Sequence, residues 1–202
     1  LEEDVLTFAQ VAQEAKVFAE KELGLDKTKN YTQFVQLDGP YVSYIVHAAR
    51  VFKLESYQWW FPIVGHVPYK GYFQKKLAEE EAKTFKTDEY DTFVRGVSAF
   101  STLGWFDDPL LAHLLRYDKV TLAEVVFHEL FHNTLYVKGA GAFNESVANF
   151  VGGRSAIDFF RDRFGSGSAE HERAIRAWEE ELQFSEFIEK LVSGNSDFVT
   201  MD

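Results

Sequence analysis

The chain has 202 residues, 46% hydrophobic and 26% charged, with a formal net charge of −11 and no cysteine. A chain of this length buries roughly 70% of the surface its unfolded form exposes, so it can hold a core without covalent staples. The composition excludes disulfides, thiol nucleophiles, thiolate zinc sites and iron–sulfur clusters. It confines any metal to His, Asp and Glu, and the acidic balance argues against a nucleic-acid partner.

In chain order, Glu2 to Leu23 reads as a helix with Val5, Phe8, Ala12, Ala15 and Ala19 on one face and Gly24 as its stop. From Tyr31 to Val67, Val, Ile, Tyr, Phe and Trp dominate, and two to four strands are expected. Gln74 to Lys86 reads as a helix and Thr92 to Ser101 as a strand. Asp108-Pro109 reads as a helix start, cap then first position, of a helix ending at Tyr117. Thr121 with Glu124 fits a capping box, predicting a helix from Leu122 to Lys138 ended by Gly139 and Gly141. A further helix spans Phe143 or Asn144 to Arg163, with Gly152-Gly153 as a kink. A last amphipathic helix, Ala169 to Val192, carries the stripe Ile175, Trp178, Leu182, Ile188 and Leu191. A mixed front and a helical back predict an α+β class in one domain, residues 1–202. No apolar run reaches the ~18 residues of a membrane-spanning helix. The numbering opens on Leu1 rather than Met, as expected of a trimmed piece whose targeting segment lies elsewhere.

His128-Glu129-Leu130-Phe131-His132 is an H-E-x-x-H motif. Residues four apart share a helix face, so both imidazoles can reach one zinc ion at ~2.0–2.1 Å. Glu129 sits about 100° around the helix from His128. It lies beside the metal rather than on it, where it can take a proton from water acidified by zinc. A third His in the H-E-x-x-H-x-x-G-x-x-H pattern would need Gly and His where Leu135 and Lys138 stand, which excludes that class. The alternative is an acidic ligand on a later helix. Glu145 is the leading candidate, with Asp107, Asp108, His113 and His171 in reserve. His47 and His66 belong to no pattern.

Four stretches together resemble a bacterial family of predicted zinc aminopeptidases of the gluzincin type, often lipoproteins. They are YKGYF (69–73), RGVSAFSTLGWFDDPLL (95–111), FHELFHNTLYVKG (127–139) and FNESVANFVG (143–152). The resemblance runs from Phe18 to Gly165. It implies a zincin-like fold: an N-terminal helix and mixed sheet, then a helical half with the motif helix and a second ligand helix. It implies one Zn²⁺ held by His128, His132 and Glu145, with Glu129 as general base. It also implies an export or lipid-anchor segment before this chain, and residence in the bacterial periplasm or as a membrane-anchored lipoprotein.

The gap between the second His and the ligand Glu is shorter than in the thermolysin-like pattern. Asn149 stands where an acidic residue often orients a ligand His; its carbonyl can accept from an imidazole N–H. Asn144 and Asn149 are thus the candidates to support the ligands. Zincin-type peptidases commonly hold substrate along a sheet edge, which makes Ser98, Ala99 and Phe100 candidate substrate-binding residues. Tyr69 and Tyr72 are candidate donors to the developing oxyanion. The Asp107-Asp108-Pro109 turn is a candidate for a substrate amine, although a plain cap explains it as well. Tyr136, one turn after His132, is read as packing. The leading function is zinc-dependent peptide-bond hydrolysis on a peptide or protein substrate, with aminopeptidase favoured by the resemblance alone. The alternatives are a zinc endopeptidase and a catalytically silent metal-binding interaction module.

Overall fold

The structure is a computed structural model; it describes residues 2–36, 41–62, 65–97 and 108–194. The elements run α1 (Glu2–Lys21), β1 (Phe34–Val35), β2 (Ser43–Arg50), β3 (Trp59–Phe61), β4 (Gly65–Val67), β5 (Lys70–Tyr72), α2 (Lys75–Ala82), β6 (Tyr90–Val97) and β7 (Leu110–Leu111). A 3₁₀ helix (Ala112–Arg116) follows, then α3 (Lys119–Thr134), α4 (Gly141–Phe164) and α5 (Ala169–Gly194). The class is mixed α+β, with five α-helices and small sheets among the described residues. The chain divides into two compact units, residues 1–38 with 99–182 and residues 39–98 with 183–202.

The first unit is built on helices. Val11, Ala12, Ala15 and Ala19 line one face of α1 and are fully buried. Their small side chains let α1 lie close to α3, whose Leu122, Val126, Phe127 and Leu130 form the centre of the core. Phe18 of α1, Phe127 of α3 and Phe159 of α4 meet edge to face, with centroids 5.6–6.0 Å apart, the geometry the ring quadrupoles favour. Arg163 of α4 pairs with Glu14 of α1. The first helix stops where expected, with Gly24 at φ +69° just beyond it. Two parallel strands, β1 and β7, then register Phe34 with Leu110 and Val35 with Leu111.

One expectation for this unit is corrected. The helix predicted from Asp108 to Tyr117 is instead a short strand followed by a 3₁₀ turn. Asp108 does not cap it: its backbone N–H donates to Asn30 Oδ1 at 3.0 Å and its carbonyl accepts from Tyr31 at 2.7 Å. These bonds tie the segment to residues 30–35, a long-range pairing that local propensity does not reveal. Helix α4 runs through Gly152 and Gly153, and both serve close approach. A Cβ on Gly153 would lie 2.5 Å from Trp178 of α5.

The second unit holds a three-stranded antiparallel sheet of order β5-β2-β6. It packs α2 over one face through Val46, Ala48, Trp59 and Ala78. Glu81 of α2 is its polar anchor, accepting from Trp59 Nε1 at 3.1 Å, Lys70 Nζ at 3.0 Å and the Tyr72 hydroxyl at 2.6 Å. A separate hairpin pairs β3 with β4. The stripe expected on α5 divides: Ile175 and Trp178 pack on the first unit's core, whereas Leu182, Ile188 and Leu191 are exposed.

The ring cluster makes a stability prediction. Phe160, fully buried beside Phe159, is expected to cost about 3–5 kcal/mol when replaced by Ala, read as a shift in denaturant midpoint with an unchanged slope.

Candidate metal centre

Helix α3 carries the H-E-x-x-H residues. Asp118, not Thr121, caps it, with the carboxylate accepting from the Thr121 N–H at 2.8 Å. The helix ends at Thr134 rather than Lys138. Its apolar residues fix its rotation: with Val126, Phe127 and Leu130 committed to the core, His128 and His132 share a neighbouring face. His128 is partly exposed and His132 is buried.

The partner face comes from α4. The connection between the helices is short, and Gly139 takes φ +78° within it, a conformation costly to a residue with a Cβ. Asn144 closes the turn. It is fully buried, accepts from the Val137 N–H at 2.9 Å and donates to the Val137 carbonyl at 2.8 Å. That clasp fixes where α4 begins, and the next residue is Glu145. The helices then run antiparallel, since Glu145 meets His128 and His132 while Gly152 lies against Glu124.

Three ligand atoms converge as a result. His128 Nε2 and His132 Nε2 are 3.1 Å apart, and the Glu145 carboxylate oxygens lie 3.4 Å from the first and 3.5 Å from the second. Ligands at ~2.0–2.1 Å from a tetrahedral ion stand ~3.3–3.4 Å from one another. The three separations straddle that value. Two imidazole nitrogens and a carboxylate form a borderline-to-hard donor set that suits a divalent ion such as zinc. Among the described residues this is the one cluster of three or more His, Cys, Asp or Glu with metal-binding spacing. Two imidazoles facing each other nitrogen to nitrogen need a shared proton or cation between them. The residues present therefore fit a metal.

The protonation pattern supports the same reading. Burial pulls the His128 pKa down, but its hydrogen bond to Glu145, the Glu129 and Glu145 charges and a hydrogen bond to Asn149 together raise it. The Glu145 carboxyl is held below its usual range, chiefly by His128, against the opposing effect of burial. His132 is lowered, first by burial and then by His128. A positive charge thus already belongs in the cluster, and a bound cation would displace a proton from it.

The other sequence candidates fall as follows. Asn149 hydrogen-bonds the His128 ring, whereas Asn144 acts on the loop through Val137. The Asn133 side chain donates to the Glu129 carbonyl at 2.8 Å. Tyr69 and Tyr72 belong to the second unit, where Tyr69 packs its ring against His47 and Tyr72 donates to Glu81. Ser98, Ala99, Phe100 and Asp107 lie outside the described residues. β6, which precedes Ser98, is an edge strand of its sheet among the described strands. His113 sits in the 3₁₀ turn. His171 accepts the Gly167 N–H at its Nδ1, at 3.1 Å, and so helps begin α5. Tyr136 sets its ring edge-on to His132 at 6.3 Å, and its pKa is raised by burial and by the Glu145 charge.

One residue escaped the sequence reading. Tyr31 is buried and takes φ +60°, a strained conformation for a non-glycine residue, costing on the order of 1–3 kcal/mol. Its N–H donates to Asp108 and its carbonyl accepts from Gln13. Burial first, then the Glu129 and Asp108 charges, push its pKa up, so the phenol stays neutral close to Glu129. No local pattern marks such a residue; only the pairing with residue 108 does.

A family model described as "Putative aminopeptidase" matches residues 3–194. No curated protein and no solved structure matches the chain.

Glu124, one turn before His128, supplies a pH prediction. Burial raises its pKa from 4.5 to about 7, with Asp118 and Glu181 adding to the rise and Arg173 opposing it. The folded state therefore holds this proton more tightly than the unfolded chain. The stability it contributes is complete below about pH 4.5 and is lost as pH rises through about 7. Glu124→Gln should match the parent at pH 5 and exceed it by on the order of 1–2 kcal/mol at pH 8, read from urea unfolding at both pH values.

Proposed function

Because the chain belongs to the family described as "Putative aminopeptidase", we propose that it is a zinc-dependent aminopeptidase of the gluzincin type with a zincin-like arrangement. The carrying observation is the convergence of His128, His132 and Glu145 on one point, with separations of 3.1, 3.4 and 3.5 Å. Those three residues would hold one zinc ion. Zinc in such a site lowers the pKa of water and polarises a carbonyl oxygen.

The chain's own residues then perform the proton transfers. Glu129, whose charge raises the His128 pKa, would act on a water beside the His pair. Its carboxylate takes a proton from the attacking water and delivers it to the amine nitrogen as the carbon–nitrogen bond breaks. A carboxylic acid and a free amine result. Asn149 orients His128 through their hydrogen bond. The substrate on this reading is a peptide with a free amino end, and the place of action is outside the cytoplasm, in the bacterial periplasm or on an anchored lipoprotein.

Glu129→Gln should retain one equivalent of zinc and lose activity by at least 10²-fold, the lower range for removal of a general base. Cleavage of a mixed peptide library, with and without chelator, reads the bond type by mass. Loss of single N-terminal residues supports the aminopeptidase. Internal cuts favour the endopeptidase, and zinc binding without cleavage favours the silent module. Full activity of Glu129→Gln sinks the mechanism.

A further inference from the structure

Gly152 lies at the point where α4 comes closest to the helix bearing the His pair. A Cβ built on it would sit 2.8 Å from the Glu124 carbonyl oxygen and 3.5 Å from His128 Cβ. The first distance is closer than real side chains tolerate, and the obstacle is a helix backbone rather than a flexible side chain. A carbonyl held in a helical ladder cannot step aside. Relief would require one helix to move away from the other.

The register carries that movement to the ligands. Gly152 opposes Glu124, and two turns back along α4 Glu145 opposes His132, two turns forward along α3. Ala148 and Ala156, one turn to either side of Gly152, are fully buried and have room for a methyl group that Gly152 lacks. The Phe127–Phe159 ring contact lies further along the same helix pair, beyond the stretch that carries Gly152 and Glu145. Glu145 must reach two nitrogens at once from α4, and its two oxygens stand 3.4 and 3.5 Å from them. We propose that Gly152 is a positioning residue of the metal centre: its missing side chain sets the α3–α4 separation at which Glu145 reaches both imidazoles. This rests on the reading of His128, His132 and Glu145 as metal ligands.

Gly153 supplies the internal control. It bears the same chemistry on the next position, but its Cβ would meet the Trp178 ring instead, on the side of α4 facing α5. Zinc and cadmium affinities are measured by competition with a chromophoric chelator on the parent chain, Gly152→Ala, Gly153→Ala, Glu145→Ala and the double variant of Gly152 and Glu145. Gly152→Ala should weaken zinc at least ten-fold, the range seen when support of a ligand is lost. It should weaken cadmium less, because a larger ion tolerates more widely spaced ligands. Gly153→Ala should stay within about three-fold of the parent, on the scale of that same ten-fold loss. In the Glu145→Ala background, adding Gly152→Ala should change zinc affinity little.

A parent-like zinc affinity for Gly152→Ala overturns the proposal. So does equal weakening of both metals, or a loss that persists undiminished without Glu145. If metal-free Gly152→Ala lacks the parent's helical circular dichroism, the same zinc-to-cadmium comparison is made on metal-induced folding. Equal concentrations of the two metals relative to the parent then count against it. A parent chain that binds no zinc fails the ligand reading instead, and the two failures are distinct.

Discussion

Everything at the candidate site depends on how closely α4 can lie against α3. Two imidazoles one turn apart on α3 define a line, and a metal needs a third ligand from off that line. Glu145 offers a third donor atom from a helix that arrives after a short turn, clasped by Asn144 on Val137. The antiparallel register then sets Glu145 beside both His side chains. Small residues along the seam let the backbones approach, and the apolar faces of both helices press into the core shared with α1. Packing energy, not the ligands themselves, holds the geometry.

Charge follows from that packing. Bringing two imidazoles and a carboxylate together in a half-buried place makes their protonation interdependent. His128 pulls the Glu145 pKa down, and Glu145 with Glu129 pushes the His128 pKa up against the opposing effect of burial. A divalent cation satisfies the same demand with more charge and without the proton. Burial also acts on two neighbours: it raises Tyr31, together with Glu129 and Asp108, and lifts Glu124 to a pKa of about 7.

The helical half was largely legible in the sequence. The spacing of His128 and His132, the apolar run around them and the position of Glu145 each has a local signature. Boundaries were less so: the cap on α3 proved to be Asp118, because its carboxylate reaches the Thr121 N–H while Thr121 itself is already in the first turn. The 108–117 segment misled because Asp-Pro is a strong local helix signal. There the pairing of Leu110 with Phe34 across a long sequence separation prevails. Gly152 and Gly153 read as a kink from sequence, yet each answers to a neighbouring helix that sequence does not show. Tyr31 carried no signal at all, since its backbone strain exists only in the presence of Asp108 and Gln13.

On the proposed function, one ion is held jointly by α3 and α4. X-ray absorption fine structure at the zinc edge tests this on the parent chain and on Glu145→Ala. Two imidazole nitrogens and one carboxylate oxygen are expected at about 2.0–2.2 Å in the parent, with the oxygen from the carboxylate lost in the variant and both imidazoles kept. A first shell that Glu145→Ala leaves unchanged, or one with fewer than two imidazoles in the parent, would contradict it.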